Sequence, residues 1–320
     1  MMPRESLHRD RRAERIVAGL LAAWVLGVAG CATESPAYRN QRTFENPTTA
    51  VQSLAAAARS GNTAELDAIF GPDGKEVLSS GDPVMDRMHR EVFTVALDEG
   101  WSLEKMDGGA TEIVVGHEQW PFPIPLMKDS RGWWFDTAAG EMEILARRIG
   151  RNELAVIGIL RTYVFAQTEY ASTSRDGQPA GIYAQKIRSD PGKHNGLYWS
   201  ADTPGDTPCP LSDLAAGAEA AGYSDEPTKG PTPFHGYFFR ILSRQGKDAT
   251  GGARSYLVNG EMTGGFAAVA YPAEYENSGI MTFLVGQDGI VFESDLGEDT
   301  LAVAGQIEEY DPDGSWRRVE

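Results

Sequence analysis

The stretch WFDTAAGEMEILARRIGRNELAVIGILRTYVFAQTEY, residues 134–170, decides how this chain is built. Two aromatic residues end a segment of alternating polarity, and Asp136-Thr137 then supplies the polar cap that starts a helix. Ile144, Leu145, Ile149, Leu154, Ile157, Leu160 and Val164 follow at the three- and four-residue spacing of an amphipathic helix, which continues to Tyr170. Gly150-Arg151-Asn152 falls in the middle and predicts a kink or a division into two helices. The helix, over residues 138–171, is expected to join one folded unit to another.

Toward the N-terminus, Asn46-Pro47 and Asp82-Pro83 repeat the pairing of a capping side chain with proline in the first turn. Ala50, Val51, Leu54, Ala55 and Ala58 give the first helix an apolar face that stops at Gly61. A second helix is expected from Thr63 to Phe70. After Asp82-Pro83, Val84, Met88, Val92 and Val95 predict a buried stripe of about three turns. The period then becomes two. Residues 101–106, 111–115, 122–127 and 132–135 read as four strands of an antiparallel meander. Helices followed by a meander resemble the nuclear-transport-factor-two-like cone fold, whose concave sheet face often holds a pocket. WPFPIP, residues 120–125, alternates proline with bulky groups and predicts a rigid edge strand.

Toward the C-terminus, residues 172–235 are loop-rich, with one short helix over 211–221. The strand pattern returns at 237–242, 254–258, 266–271, 280–285 and 290–293, with Gln287-Asp288-Gly289 as a tight hairpin turn. The expected class is α+β: N-terminal helices on a curved antiparallel sheet (residues 46–137), then a long helix with a second antiparallel sheet (residues 138–320).

Residues 1–30 read as an export signal. Arg4, Arg9, Arg11, Arg12 and Arg15 precede an uncharged apolar run, residues 16–30, that is too short to span a bilayer, which takes about 20 residues. The run ends in Val28-Ala29-Gly30-Cys31, which resembles the lipobox of bacterial lipoproteins. That resemblance implies a diacylglyceryl group on the Cys31 sulfur and attachment to a membrane through it. Ala32 at the next position is compatible with the outer membrane rather than the inner. Residues 31–45 are polar and aperiodic and are expected to be a tether. The full chain carries a net charge of −17. The signal holds five arginines and three acids, so its loss leaves −19. Such a surface repels phosphate backbones and argues against nucleic-acid binding.

Several segments together carry a family likeness: WPFPIP (120–125), WFDTAAG (134–140), RRIGRNEL (147–154), HNGLYW (194–199), GYFFRIL (236–242) and GGFAAVAYP (264–272). They resemble a bacterial exported family catalogued as domain of unknown function 2950, from about Phe44 to the C-terminus. The resemblance implies an exported envelope protein with no established activity. NELAVIGILRTYVFAQTEY (152–170), GYFFRI (236–241) and MTFLV (281–285) also resemble the helix and sheet of a type II pseudopilin globular domain. A pseudopilin carries that helix directly behind its cleaved N-terminus. Here a long segment precedes it, and Arg147, Arg148 and Arg151 flank it.

No motif names a chemistry. His89, His117, His194 and His235 are scattered without metal-ligand spacing, so no metal is expected. No Gly-rich phosphate loop precedes a helix, and no cofactor is expected. Cys209, in a proline-flanked loop, reads as a structural thiol. Two aromatic clusters remain as binding candidates: Trp120 with Phe122, and Asn195 with Tyr198 and Trp199. For each the plainer reading is packing in the core. The expected function is a non-catalytic envelope lipoprotein that binds or assembles, with an envelope protein as a possible partner and the small-molecule ligand unspecified. The alternatives are an envelope hydrolase, with His194 and an acid such as Asp136 or Glu153 brought together by the fold, and a pseudopilin-like partner of a secretion system.

Overall fold

The computed structural model describes residues 41–199, 208–221 and 232–320. The signal of residues 1–30, the lipid-acceptor Cys31 and the tether up to residue 40 lie outside the described residues.

Four helices come first: α1 (Pro47–Ser60), α2 (Thr63–Phe70), α3 (Gly74–Leu78) and α4 (Pro83–Glu99). Their starts follow the capping chemistry. The Asn46 side chain accepts from the Thr49 amide at 2.9 Å, and Asp82 accepts from Val84 and Met85, each at 3.1 Å. Gly61, at φ +63°, ends α1 by turning its N–H back onto the Ala57 and Ala58 carbonyls.

The meander follows as β1 (Trp101–Lys105), β2 (Thr111–Val115), β3 (Trp120–Asp129) and β4 (Gly132–Phe135), paired in chain order and antiparallel throughout. Ile113, Val115, Ile124, Leu126 and Phe135 join Val51, Leu54, Ile69 and Phe70 in a first core.

Three expectations change here. The proline-rich strand is not an outer strand, since β3 lies between β2 and β4. Its proline half is nonetheless irregular: β4 pairs only with Leu126 to Asp129, Pro121 stands opposite Val114 of β2, and Pro123 and Pro125 fall where the register with β2 shifts. A missing N–H is harmless where the ladder is interrupted. The tether also ends sooner than residue 45. Gln41 is buried and donates to the Ile69 and Phe135 carbonyls at 2.8 and 2.7 Å, while Phe44 bridges to Trp133. On α4, the buried residues are Met85 and Leu97, with Phe93 and Ala96 packed against the core. Val92 and Val95, expected inside, are 63% and 59% exposed.

The long helix, α5 (Thr137–Ser172), runs 36 residues without interruption. The kink expected at Gly150-Arg151-Asn152 is absent. Nothing lies within 4 Å of where a Gly150 Cβ would sit, and the buried Asn152 amide donates to Ser278 O at 2.8 Å. The polar residues answer a tertiary demand rather than a break in the helix.

Beyond it come α6 (Ser212–Ala221), β5 (Tyr237–Leu242), β6 (Arg244–Gln245), β7 (Arg254–Ser255), β8 (Leu257–Val258), β9 (Glu261–Met262), β10 (Ala267–Pro272), β11 (Met281–Gly286), β12 (Val291–Asp295), α7 (Thr300–Gly305) and β13 (Arg317–Arg318). The strand expected over 254–258 is two short pieces, β7 paired with β6 and β8 with β9. The main sheet is antiparallel, in the order β13-β12-β11-β10-β5. The C-terminal half of α5 lies across β10, β11 and β12 and shares a second core: Val156, Leu160 and Tyr163 with Val269, Phe283 and Leu284. The fold is α+β, with helices, a meander, the long helix and a second sheet in the expected order.

Polar groups on the middle of α5 tie the two parts together. Arg148, 5% exposed, donates to the Val77 and Ser79 carbonyls at 2.7 and 3.1 Å and to Asn277 Oδ1. Glu153 accepts from the Ile280 and Met281 amides, both at 3.0 Å. Asp82, besides capping α4, accepts from Gly236 N at 3.2 Å.

The packing predicts opposite effects at two glycines. A Cβ at Gly279 would lie 1.9 Å from the Tyr237 hydroxyl, which itself donates to Met281 O. Gly279→Ala is expected to cost about 3 kcal/mol through overpacking. Gly150→Ala, with open space around it, should gain about 0.5–1 kcal/mol through helix propensity. Urea unfolding of the two variants checks both signs.

Candidate functional site

A cleft of about 790 Å³ opens in the N-terminal half between α4, the start of β3 and residues 144–151 of α5. Its apolar wall is built by an aromatic group. Phe93 of α4 stacks on Phe122 of β3 at 5.1 Å between ring centroids, and Trp120 stands edge-on to both at 6.4 and 6.2 Å. Leu54, Leu66 and Phe70 form the floor, and the exposed Val92 and Val95 the rim. Trp120 and Phe122, two apart on β3, share the face that turns to the core; Phe122 is buried there, while Trp120, the first residue of the strand, remains 38% exposed at the mouth.

One side of the cleft is basic. Arg147 and Arg151, one helical turn apart on α5, both line it. The Arg147 guanidinium lies 5.5 Å over the Trp120 ring and pairs with Glu143 at 2.6 Å. His89 lines the same space from α4. Its pKa is pushed down to about 4, chiefly by burial and then by the charges of Arg151 and Arg148, with Asp82 opposing. Four acids also line the walls, Asp86, Glu91, Glu99 and Glu118; Asp86 accepts from Ser80 Oγ at 2.6 Å, and Glu99 accepts from His117 N at 3.0 Å. Burial raises the Asp86 pKa against the pull of Ser80.

Of the residues singled out in the sequence, Trp120 and Phe122 meet here. Asn195, Tyr198 and Trp199 lie elsewhere, in the loop beside the C-terminal end of α5. Trp199 is buried, Tyr198 is partly buried in the second core, and Asn195 bonds Asp190 through both its amide nitrogen and its oxygen. His194 sits in the same loop. Its Nδ1 is 3.1 Å from Asp176, its N–H donates to the same carboxylate, and its ring lies edge-on to Trp199 at 4.7 Å.

The acid beside His194 is therefore Asp176, not Asp136 or Glu153. Tyr170, near the end of α5, donates to His194 O. At 1.5 Å per residue, Asp136 at the start of that helix is about 50 Å away along its axis and Glu153 about 25 Å. Asp136 caps α5 by accepting from Ala139 N at 3.4 Å, and Glu153 serves β11. Cys209 is a free, buried thiol. Among the described residues no group of three His, Cys, Asp or Glu could hold a metal ion, and no helix is long and apolar enough to cross a membrane.

Sequence reading missed His89, Phe93 and the pairing of Arg147 with Arg151. The i,i+4 spacing of the two arginines was the available signal. Their meeting with β3 and α4 depends on contacts distant in sequence.

His89 predicts a pH dependence. Unfolded, it takes up a proton near 6.5; folded, only near 4. Between those values the unfolded chain binds more protons, so stability falls as pH drops from about 6.5 to about 4. Solvent screening of this partly exposed ring limits the loss to about 2 kcal/mol. Asp86, shifted upward, acts over the carboxylate range and is common to both proteins compared. Thermal melts at stepped pH should show the native chain losing stability relative to His89→Gln across that window.

The profile of a family described as Protein of unknown function (DUF2950) matches residues 41–319. No curated protein and no solved structure matches the chain. The match takes in α1–α4, the meander, α5 and the second sheet, and on it the chain belongs to the DUF2950 family.

Proposed function

We propose that this chain is an exported lipoprotein of the cell envelope, fastened through Cys31, whose N-terminal half is a non-catalytic binding module. The observation that carries the binding role is the aromatic-walled cleft of about 790 Å³, a volume in the range of small-molecule sites. An open apolar surface of that kind is costly in water unless something occupies it. The export role rests on the basic, apolar and small-residue order of residues 1–31.

The two parts are tested separately. Radiolabelled palmitate should enter the full-length protein in a bacterial host and be lost from Cys31→Ser; an unlabelled native protein would refute the anchor. For the cleft, the uncharged dye Nile red should bind the folded chain at a saturable site. Val92→Glu with Val95→Glu, two exposed rim positions, should weaken that binding about tenfold while leaving the melting temperature nearly unchanged. Equal binding by the double variant would place the dye elsewhere and remove the basis for the cleft.

A further inference from the structure

The chemistry of the cleft is two-sided, and this narrows what it can hold. One wall is a continuous aromatic and aliphatic surface, with Phe93 stacked on Phe122 and Leu54 beneath. The other is a turn of α5 that presents two guanidinium groups, Arg147 and Arg151, into the same space. Arg151 forms no ion pair among the described residues, on a chain whose net charge is −17. Arg147 does form one, with Glu143, but its planar face is turned onto Trp120 at the cleft mouth, where apolar and basic surfaces meet.

We propose that the cleft binds a single-chain fatty acid, its hydrocarbon tail against Phe93 and Phe122 and its carboxylate at Arg147 and Arg151. The inference rests on the binding role proposed above and adds the class of ligand. Shape and charge both enter. A tail buried against the aromatic wall gains about 0.8 kcal/mol per methylene, which any apolar molecule shares. The carboxylate head is what the arginines select, since a planar guanidinium matches a carboxylate with two parallel N–H···O bonds. A cationic head would be repelled by the same pair. The lining also carries four carboxylates, Asp86, Glu91, Glu99 and Glu118, against the guanidinium groups of Arg90, Arg147, Arg148 and Arg151, so what selects a head group is the place of Arg147 and Arg151 beside the aromatic wall rather than the net charge of the cleft.

Displacement of Nile red from the folded chain tests the proposal with three ligands of one tail length: decanoate, decanol and decyltrimethylammonium, all below their micellar concentrations. Decanoate should displace the dye at a concentration at least tenfold below that needed for decanol, with decyltrimethylammonium weakest. Arg147→Gln with Arg151→Gln should erase the gap between decanoate and decanol, each displacement being referred to that variant's own affinity for the dye. Arg147→Lys with Arg151→Lys should keep most of the gap. Equal displacement by the three ligands would overturn the fatty-acid assignment and leave the binding module standing. A gap unchanged in the glutamine variant would overturn the role of the arginines and with it the assignment. Failure of both dye and decanoate to bind would overturn the binding module as well.

Discussion

A buried guanidinium organises this molecule. Arg148 sits almost wholly inside the protein, where an unpaired charge would cost several kcal/mol. Its donors reach the main-chain carbonyls of Val77, in the last turn of α3, and of Ser79 just after it, and Asn277, far along the chain. One turn further on, Asn152 reaches Ser278 O, and Glu153 gathers the amides that open β11. Three polar side chains on a single stretch of helix thus fix residues 77–79 and 277–281 against the same axis. Main-chain partners suit this task, because a carbonyl or amide cannot swing away as a side chain can. Beside the packing of the two cores, these bonds fix how α5 meets the end of α3 and the segment that leads into β11.

The position of the cleft follows from that constraint. Successive residues on a helix are turned by about 100°, so Arg148 facing inward carries Arg147 and Arg151 together onto a neighbouring face. That face is the one left open where α4 and the proline half of β3 diverge. β4 does not extend along Pro121 to Pro125, and α4 turns Val92 and Val95 outward instead of closing the gap. The exposed valines and the unpaired strand flank are therefore two sides of one opening. In a chain optimised only for burial, the stripe of α4 that begins at Val84 would have faced the core.

Much of the fold was legible because its signals are local. Asn46, Asp82 and Asp136 cap the helices they announce, and the period-two runs mark all four strands of the meander to within two residues. What escaped depends on partners distant in sequence. Asn152 looks like a helix breaker until Ser278 is placed beside it. The prolines of β3 look like an outer strand until the short reach of β4 is known. Gln41 looks like part of a tether until the Ile69 and Phe135 carbonyls are seen to hold its amide. The same holds for the site. Trp120 and Phe122 were visible as an aromatic pair, but Phe93 and His89 join them only through the packing of α4. His194 was visible as a candidate, while its acid, Asp176, sits in a turn at φ +47° with no motif to mark it.

The charge distribution gives the two-sided cleft a further consequence. A chain with so large an excess of acids repels an anion at long range, and at physiological salt that repulsion extends only about 8 Å from the surface. Arg147 and Arg151 act within a shorter distance still, at the wall of the cleft. An acidic amphiphile arriving from bulk water would therefore cross a repulsive zone before meeting an attractive site, which slows capture more than it weakens binding. Arrival by the tail reverses the order of events: the apolar wall engages first and brings the head to the arginines afterwards. If Cys31 is fastened to a bilayer, the tail-first route is also the short one, because single-chain amphiphiles in a membrane lie within reach of a tethered body. The acid-coated surface then serves selectivity, keeping small water-borne anions away from two arginines that the second core does not need.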